Sequence, residues 1–543
     1  MHKLIKCGLL LSASLITNSC SKSTILAIAV SNIPTESKTI IINTTINQVT
    51  YKVAPFDIKD NKSKIYSIEI PSTITTGLID LEILAKDTAY GADGNPLETP
   101  NKKSCDTARW HGSIPVIDPE NYSISAALEK ATDDPIDQDL FTVKALKRDD
   151  AWAAGANRKI AHWDGCFWKS YDFSSNTDYP PQLDKPGDYN FIKLYYNDKI
   201  GLWATGSDGL IYNYNPKSDR WKAHGGAREK FPVAFGTGVP AIPPPEWYQG
   251  MFWLDIAYLN GTNGDILVVG SNSHPYASHP SSKSFCMAVR GTPSTTAIGE
   301  YTFTVASSVC DSPIAASKSS MPPPTPTAPA PTPDWSTCTG CFTPRGVISF
   351  SDSVIVTGLA RIPDIGKTTI LQYGAYITYS SPNDLSTAKA AGKFVVPHWT
   401  NPNQERYGGA LTAWGTSSSD YWLGNNRLFH VSSAEANIQG SPEIVTKFYE
   451  DKGVGSSYTI NQIWGLNRND FWVLVLYNSV SQVHHFTSQS PITAKDIDQL
   501  RYKAPIESFT YTSVDGTATN DTWLVGYRGV RVHYDGTKTI VHK

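Results

Sequence analysis

The sequence predicts an all-β protein in which a ring of repeated sheets follows a small β-sandwich. Three observations carry that reading. Strand-turn-strand units recur seven times over residues 141–543, apolar residues alternate with polar ones in the N-terminal hundred, and turn formers abound, with 39 Gly and 36 Pro in 543 residues. The length admits three or four domains at about 150 residues each, or fewer if one all-β architecture is large. Lysine and arginine number 47 against 50 acidic residues, a net charge of −3, so no basic field exists to hold nucleic acid. Beyond the N-terminus no apolar run reaches the roughly 18 residues of a membrane span, which excludes a polytopic membrane protein.

Residues 1–19 read as a signal peptide: Lys3 and Lys6 precede the apolar stretch 7–16, which is too short to span a bilayer. The segment Thr17-Asn18-Ser19-Cys20 resembles the lipobox of bacterial lipoproteins, with Ser19 as the small residue and Thr17 where leucine is usual. The resemblance implies lipidation of Cys20 and a membrane association made only through that anchor. Ser21 lacks the aspartate character that marks inner-membrane retention in enteric bacteria, so the outer membrane or cell surface is expected. Without the anchor, the chain would be periplasmic or secreted. Export exposes thiols to an oxidising compartment, and Cys105, Cys166, Cys286, Cys310, Cys338 and Cys341 are the candidate disulfide cysteines, with their pairing open. Cys338 and Cys341 form a CxxC, but no second pair, histidine pair or βαβ context accompanies it, so bridging is the expected role.

Residues 20–37 read as a tether and 38–120 as the sandwich. Within it, residues 39–46, 50–58, 64–71 and 78–86 are β runs, and Ile79, Leu81 and Ile83 alternate with Asp80 and Glu82 as a strand with one buried face requires. The run from Ile70 to Ile83 is similar to the penultimate strands of small Ig-like or carboxypeptidase-regulatory-like sandwiches. Residues 121–140 read as a linker with a short helix over 123–132.

The repeat is clearest at its ends. Asp150-Ala151-Trp152 leads to Gly155 and then His162-Trp163-Asp164-Gly165, while Asp521-Thr522-Trp523 leads to Gly526 and then His533-Tyr534-Asp535-Gly536. Asp470-Phe471-Trp472 with His484-His485, and Asp420-Tyr421-Trp422 with His430, are further copies. Trp203 with Gly206 gives a fifth, and residues 265–270 and 353–358 keep only the apolar strand and glycine. A period near 50 residues with several short strands per unit signals a β-propeller. Seven blades are predicted, with six or eight left open. The pattern resembles the propeller repeats of large exported bacterial proteins, many of them predicted lipoproteins, with a consensus near W-G-x(5)-D-x-W-x-V-G…I-x-H-[YW]-D-G. That resemblance implies fold and location rather than chemistry. Residues 225–250 and the cysteine-bracketed, Pro-rich stretch 310–341 read as insertions between blades.

Candidate chemistry is sparse. The recurring aspartates and histidines argue for structure, because an active site is not copied around a ring. Arg361-Ile362-Pro363 echoes a sialidase motif, but in the fourth repeat rather than the first and with no Asp-boxes after it. His274 and His279 are separated by a proline-broken spacing, and the adjacent His484 and His485 point to opposite faces of a strand, so neither pair suits zinc. No catalytic, cofactor-binding or metal residue is predicted, and a Ca2+ in the funnel is left open. The sequence therefore predicts a non-catalytic envelope scaffold that presents its propeller to a protein or glycan. The alternative is a carbohydrate-active enzyme of sialidase or glycosidase type using the funnel, which would show unrepeated carboxylates with Arg or Tyr converging there.

Overall fold

The computed structural model describes residues 24–46, 49–52, 55–58, 64–70, 78–90, 104–115, 122–178, 190–207, 209–224, 251–272, 285–296, 299–306, 342–363, 370–379, 381–385, 388–394, 412–424, 428–432, 443–446, 458–477, 480–492, 502–503, 509–537 and 539–542. They form two compact units: residues up to Asp133 with Gly165–Phe167, and the remainder. Cys20 and the 1–19 segment lie outside the described residues.

The first unit is built from β1 (Thr24–Ser31), β2 (Thr39–Ile46), β3 (Val49–Lys52), β4 (Phe56–Asp57), β5 (Lys64–Ile70), β6 (Leu78–Lys86), β7 (Asp106–Pro115), β8 (Tyr122–Ala127) and β9 (Glu129–Lys130). One sheet has the order β5-β1-β8, the other β3-β2-β6-β7-β9 with β4 on β2. The alternation in β6 works as read: Ile79, Leu81, Ile83 and Ala85 are buried in one core with Ile40 and Ile42 of β2 and Leu26, Ile28 and Val30 of β1. Two expectations are corrected. The tether 20–37 contains β1, the middle strand of its sheet, because Leu26, Ile28 and Val30 alternate on one face and are fully buried. The helix over 123–132 is instead β8 and β9; Ala126 and Leu128 turn inward two apart while Ser123, Ser125 and Ala127 face solvent, the period of a strand. Strand β8 pairs parallel to β1, a long-range partner that local helix propensity cannot anticipate. A disulfide joins Cys105 to Cys166 across 61 residues, and the turn that carries Cys166 belongs to this unit.

The second unit consists, among the described residues, of seven antiparallel sheets in chain order: blade 1 (140–171), blade 2 (177–224), blade 3 (251–305), blade 4 (342–394), blade 5 (412–446), blade 6 (458–503) and blade 7 (511–542). Six have four consecutive strands, and blade 2 adds Thr177–Asp178 parallel to its last strand. The first long strands of the blades are Leu140–Lys147, Phe191–Asn197, Met251–Tyr258, Phe342–Ser349, Thr412–Ser417, Tyr458–Asn467 and Tyr511–Ala518. Each packs against its counterpart in the next blade, and Tyr511–Ala518 packs back on Leu140–Lys147. These are the innermost strands of a closed ring. The fold is a β-propeller. Apolar clusters lie between successive sheets, as where Trp168 and Trp523 meet edge to face at 5.2 Å between blades 1 and 7.

In six blades the landmark glycine of the second strand pairs with the innermost strand just before its bulge or at its start. Gly155 pairs with Leu140, Gly206 with Phe191, Gly270 with Trp253, Gly358 with Pro344, Gly424 with Thr412 and Gly526 with Tyr511. In blade 6 that place belongs to Val475, opposite Ile460. The reason for glycine is steric at Gly526, where a Cβ would run into the carbonyl oxygen of Thr510 on the chain leading into the innermost strand.

Two outcomes test this account. Gly526→Ala should lower propeller stability by about 1–3 kcal/mol, the usual range for overpacking, and thermal unfolding indistinguishable from wild type would refute it. Non-reducing peptide mapping should recover Cys105 linked to Cys166. Replacing both with Ser should cost roughly 4 kcal/mol in denaturant unfolding, the chain-entropy effect of closing 61 residues.

Candidate functional site

Repetition in this ring has a specific structural content. In blades 1, 5, 6 and 7 the aspartate that opens the second strand meets a histidine of the third: Asp150–His162 at 3.0 Å, Asp420–His430 at 2.9 Å, Asp470–His485 at 2.7 Å and Asp521–His533 at 2.8 Å. Each imidazole lies flat on the tryptophan two residues after its aspartate, with ring centroids 3.9–4.1 Å apart. The cross-strand register makes this inevitable, since Trp152 pairs with His162, Trp422 with His430, Trp472 with His485 and Trp523 with His533. The other carboxylate oxygen often reaches the next blade: Asp470 accepts from Thr519 of blade 7, and Asp420 pairs with Arg468 of blade 6. Burial opposes the charge of Asp470 and Asp521, yet hydrogen bonds from His485 and Thr519, and from His533 and Thr517, hold both carboxyls below their ordinary range.

The weaker copies substitute other pairs at the same register. Blade 3 places Arg290 opposite Leu267, and Asp265 Oδ2 accepts from Arg290 Nε at 2.7 Å and Nη2 at 2.5 Å. Blade 2 has Asn213 opposite Trp203, and Asn213 Oδ1 lies 3.2 Å from Nε2 of His224 on the fourth strand. His224 sits 5.5 Å from Trp203, and burial, aided by the charge of Lys222, pushes its pKa down to about 4.

The innermost strands carry a second repeated device. A β-bulge falls at the same place in six blades, after Leu140, Phe191, Trp253, Pro344, Ile460 and Tyr511. The residue following the bulge accepts a backbone N–H from the next blade. Leu194 N donates to Thr142 Oγ1 at 2.9 Å, Val347 N to Asp255 Oδ2 at 3.0 Å, Val514 N to Gln462 Oε1 at 2.9 Å and Val143 N to Ser513 Oγ at 3.2 Å. Thr412 of blade 5 serves Ile463 N in the same way, at 3.4 Å. Lys193 cannot accept, and there the hydroxyl of Tyr195 takes Tyr258 N at 3.0 Å. Blade 4 has Gly346 at the position, and its innermost-strand turn is tied to blade 5 by Ser418 Oγ donating to Asp352 Oδ2 at 2.6 Å.

Unrepeated charges do occur on these strands, as an enzyme would require. Asp515 is 4% exposed in its side chain and accepts from Lys144 Nζ at 3.1 Å and Ala145 N at 2.8 Å. Burial pushes its carboxyl above the usual range against the pull of Lys144, Ala145 N–H and the charge of Lys193. Asp255 accepts from Val347 N and Ile256 N and lies 3.5 Å from Lys193. Both carboxylates are thus engaged as clamps between blades. The bulged residues themselves, Phe141, Ile192, Leu254, Arg345, Asn461 and Thr512, are half-buried and share no chemistry.

Of the candidate cysteines, Cys105 and Cys166 are brought together. Cys286 lies in the strand Phe285–Pro293, while Cys310, Cys338 and Cys341 fall outside the described residues, as does the whole 310–341 insertion. His485 joins the Asp470–Trp472 set and His484 is buried on the other face. Arg361 lies within the strand Val354–Pro363, and His274 and His279 are outside the described residues. Among the described residues, no three His, Cys, Asp or Glu are grouped to hold a metal, and no helix is long and apolar enough to cross a membrane.

No family model and no curated protein matches the chain. Among solved structures it is similar to YCF48 from Cyanidioschyzon merolae, at 10% identity over 75% of this chain and 99% of that one, with a TM-score of 0.40. The WD40 β-propeller domain of Doa1 gives 12% identity over 75% and 96%, with a TM-score of 0.38. The β-propeller domain of Vanderwaltozyma polyspora Nup133 gives 11% over 81% and 90%, with a TM-score of 0.28.

The buried imidazole of blade 2 gives a pH test. Neutral His224 is favoured in the fold, so the unfolded chain takes up a proton below pH 6.5 and the folded one only near pH 4. Stability present above pH 6.5 should therefore fall as pH drops toward 4, by on the order of 3 kcal/mol, and level off below. His224→Phe should remove that slope in urea unfolding between those values; an unchanged slope would refute the assignment.

Proposed function

We propose that this is a non-catalytic binding scaffold, exported and held at the cell envelope by lipid on Cys20, whose propeller presents a surface to a protein partner. The observation that carries the reading is the engagement of the axial acids. Asp255 and Asp515, the unrepeated carboxylates of the innermost strands, already accept backbone N–H groups across blade junctions, and the repeated acids are bound to histidines. Glycoside hydrolysis needs one carboxyl to give up a proton and another to act as base or nucleophile. Carboxylates that clamp the ring would break their own junctions by moving in such a cycle. A rigid ring with chemically unlike residues at equivalent inner positions suits recognition instead.

The full chain, solubilised in mild detergent and used as bait on an envelope fraction and a glycan array, should retain a defined protein and no glycan. The same preparation should leave a panel of aryl-glycosides intact. Turnover that Asp515→Asn abolishes, with the variant still folded, would reverse the reading in favour of an enzyme.

A further inference from the structure

Six bulged positions occupy equivalent places at one end of the axis, one residue inside the paired ends of the first and second strands. If they served only the fold, they would share a character, as Thr142, Asp255, Gln462 and Ser513 beside them share an accepting oxygen. They do not. Blades 1, 2 and 3 place Phe141, Ile192 and Leu254 there, while blades 4, 6 and 7 place Arg345, Asn461 and Thr512. The apolar arc is continued by Tyr527 of blade 7, which is 42% exposed and meets Phe141 edge to face at 6.4 Å.

Cations accompany the arc. Lys193 follows Ile192 directly, in the position where other blades place a neutral or anionic acceptor. Its side chain is 32% exposed, and its ion-pair contact among the described residues is Asp255 at 3.5 Å, beyond hydrogen-bond length. On the rim turn beside Tyr527, the side chain of Arg528 is exposed, while its backbone N–H is spent on Asp139 Oδ1 at 2.8 Å. That hydrogen bond engages Asp139, and the exposed Asp137 also borders this turn, following Ile136, whose carbonyl lies against Gly529. Half-buried apolar side chains flanked by Lys193 at the inner radius and Arg528 at the outer form an amphipathic mouth rather than a packing seam.

We propose that this mouth docks an extended acidic segment of a partner protein, with one bulky apolar side chain seated against Phe141, Ile192, Leu254 and Tyr527 and flanking carboxylates set on Lys193 and Arg528. The inference rests on the scaffold reading and names the chemistry of its partner. A segment, rather than a chain end, is favoured because the cations are spread from the innermost strand to the rim turn, so carboxylates on both sides of the anchor are matched. The apolar arc supplies most of the affinity, and the cations supply register and salt dependence.

The test uses the full chain in detergent and fluorescein-labelled decapeptides, acetylated and amidated, in polarisation assays. A peptide centred on Asp-Glu-Phe-Asp-Glu should bind and weaken as salt rises. Changing its Phe to Ser, or its acids to Asn and Gln, should each weaken binding at least tenfold. Phe141→Ser and Lys193→Gln should do the same, with melting curves checked against wild type; if Phe141→Ser unfolds, Leu254→Ser replaces it. Binding that ignores these changes, or none at 1 mM peptide (on the order of the weakest useful affinities), overturns the proposal. A protein captured as before by the Lys193→Gln and Phe141→Ser baits would sink the mouth yet leave the scaffold reading standing, whereas glycoside turnover would sink that reading itself.

Discussion

An antiparallel sheet has two edges, and a ring of sheets turns one edge of each inward. Each innermost strand has a sheet partner on one side only, so its outward N–H groups need acceptors that no strand supplies. The molecule answers, in six blades, by kinking the strand with a bulge, and in most blades an oxygen-bearing side chain at that place is aimed at the N–H of the next blade. Thr142, Asp255, Thr412, Gln462 and Ser513 are different residues with one task. The rest of the ring is arranged around this need. The bulge displaces one residue per blade, and the displaced residues become the variable lining of the axis.

The Asp–His–Trp set does the corresponding work farther out. A carboxylate holds an imidazole, the imidazole lies on an indole, and in blades 5 and 6 the second carboxylate oxygen reaches the neighbouring blade. In blade 5 the set is polar but nearly dry, with Asp420 and His430 5% and 2% exposed, while in blade 1 Asp150 and His162 keep partial contact with water. Such buried polar groups stabilise only when every member is satisfied, and the blades that lose one member change the others with it. Blade 3 exchanges histidine for Arg290 and its tryptophan position for Leu267, while blade 2 recruits His224 from a different strand.

Much of the ring was legible in the sequence because its signals are local. Trp follows Asp by two residues and His follows it by 10 to 15, and a hairpin converts that spacing into contact. The innermost strand was not legible, because its partners lie one blade away, 51 to 92 residues along the chain and 370 at the closure. A signal exists even so: Leu140-Phe141-Thr142-Val143, Ile460-Asn461-Gln462-Ile463 and Tyr511-Thr512-Ser513-Val514 share apolar ends around a variable and then a polar residue. Lys193 and Gly346 blur that pattern at the corresponding places. In the first unit, β1 and β8 were missed as strands because each is defined by pairing with the other across nearly a hundred residues. Short, small-residue runs such as Ser123–Ala127 carry no propensity strong enough to reveal it.

The closing junction has one more implication. Among the described residues, blades 1 and 7 are each woven from their own consecutive strands, and no strand is borrowed from the far end of the chain to lock them. Val143 and Ala145 lean on Ser513 and Asp515 through the kind of bond used at other seams, reinforced by Lys144. Gene duplication can then add or delete a whole module without unpicking a shared sheet. A circle assembled this way has no privileged starting point, and termini could migrate to any boundary between modules.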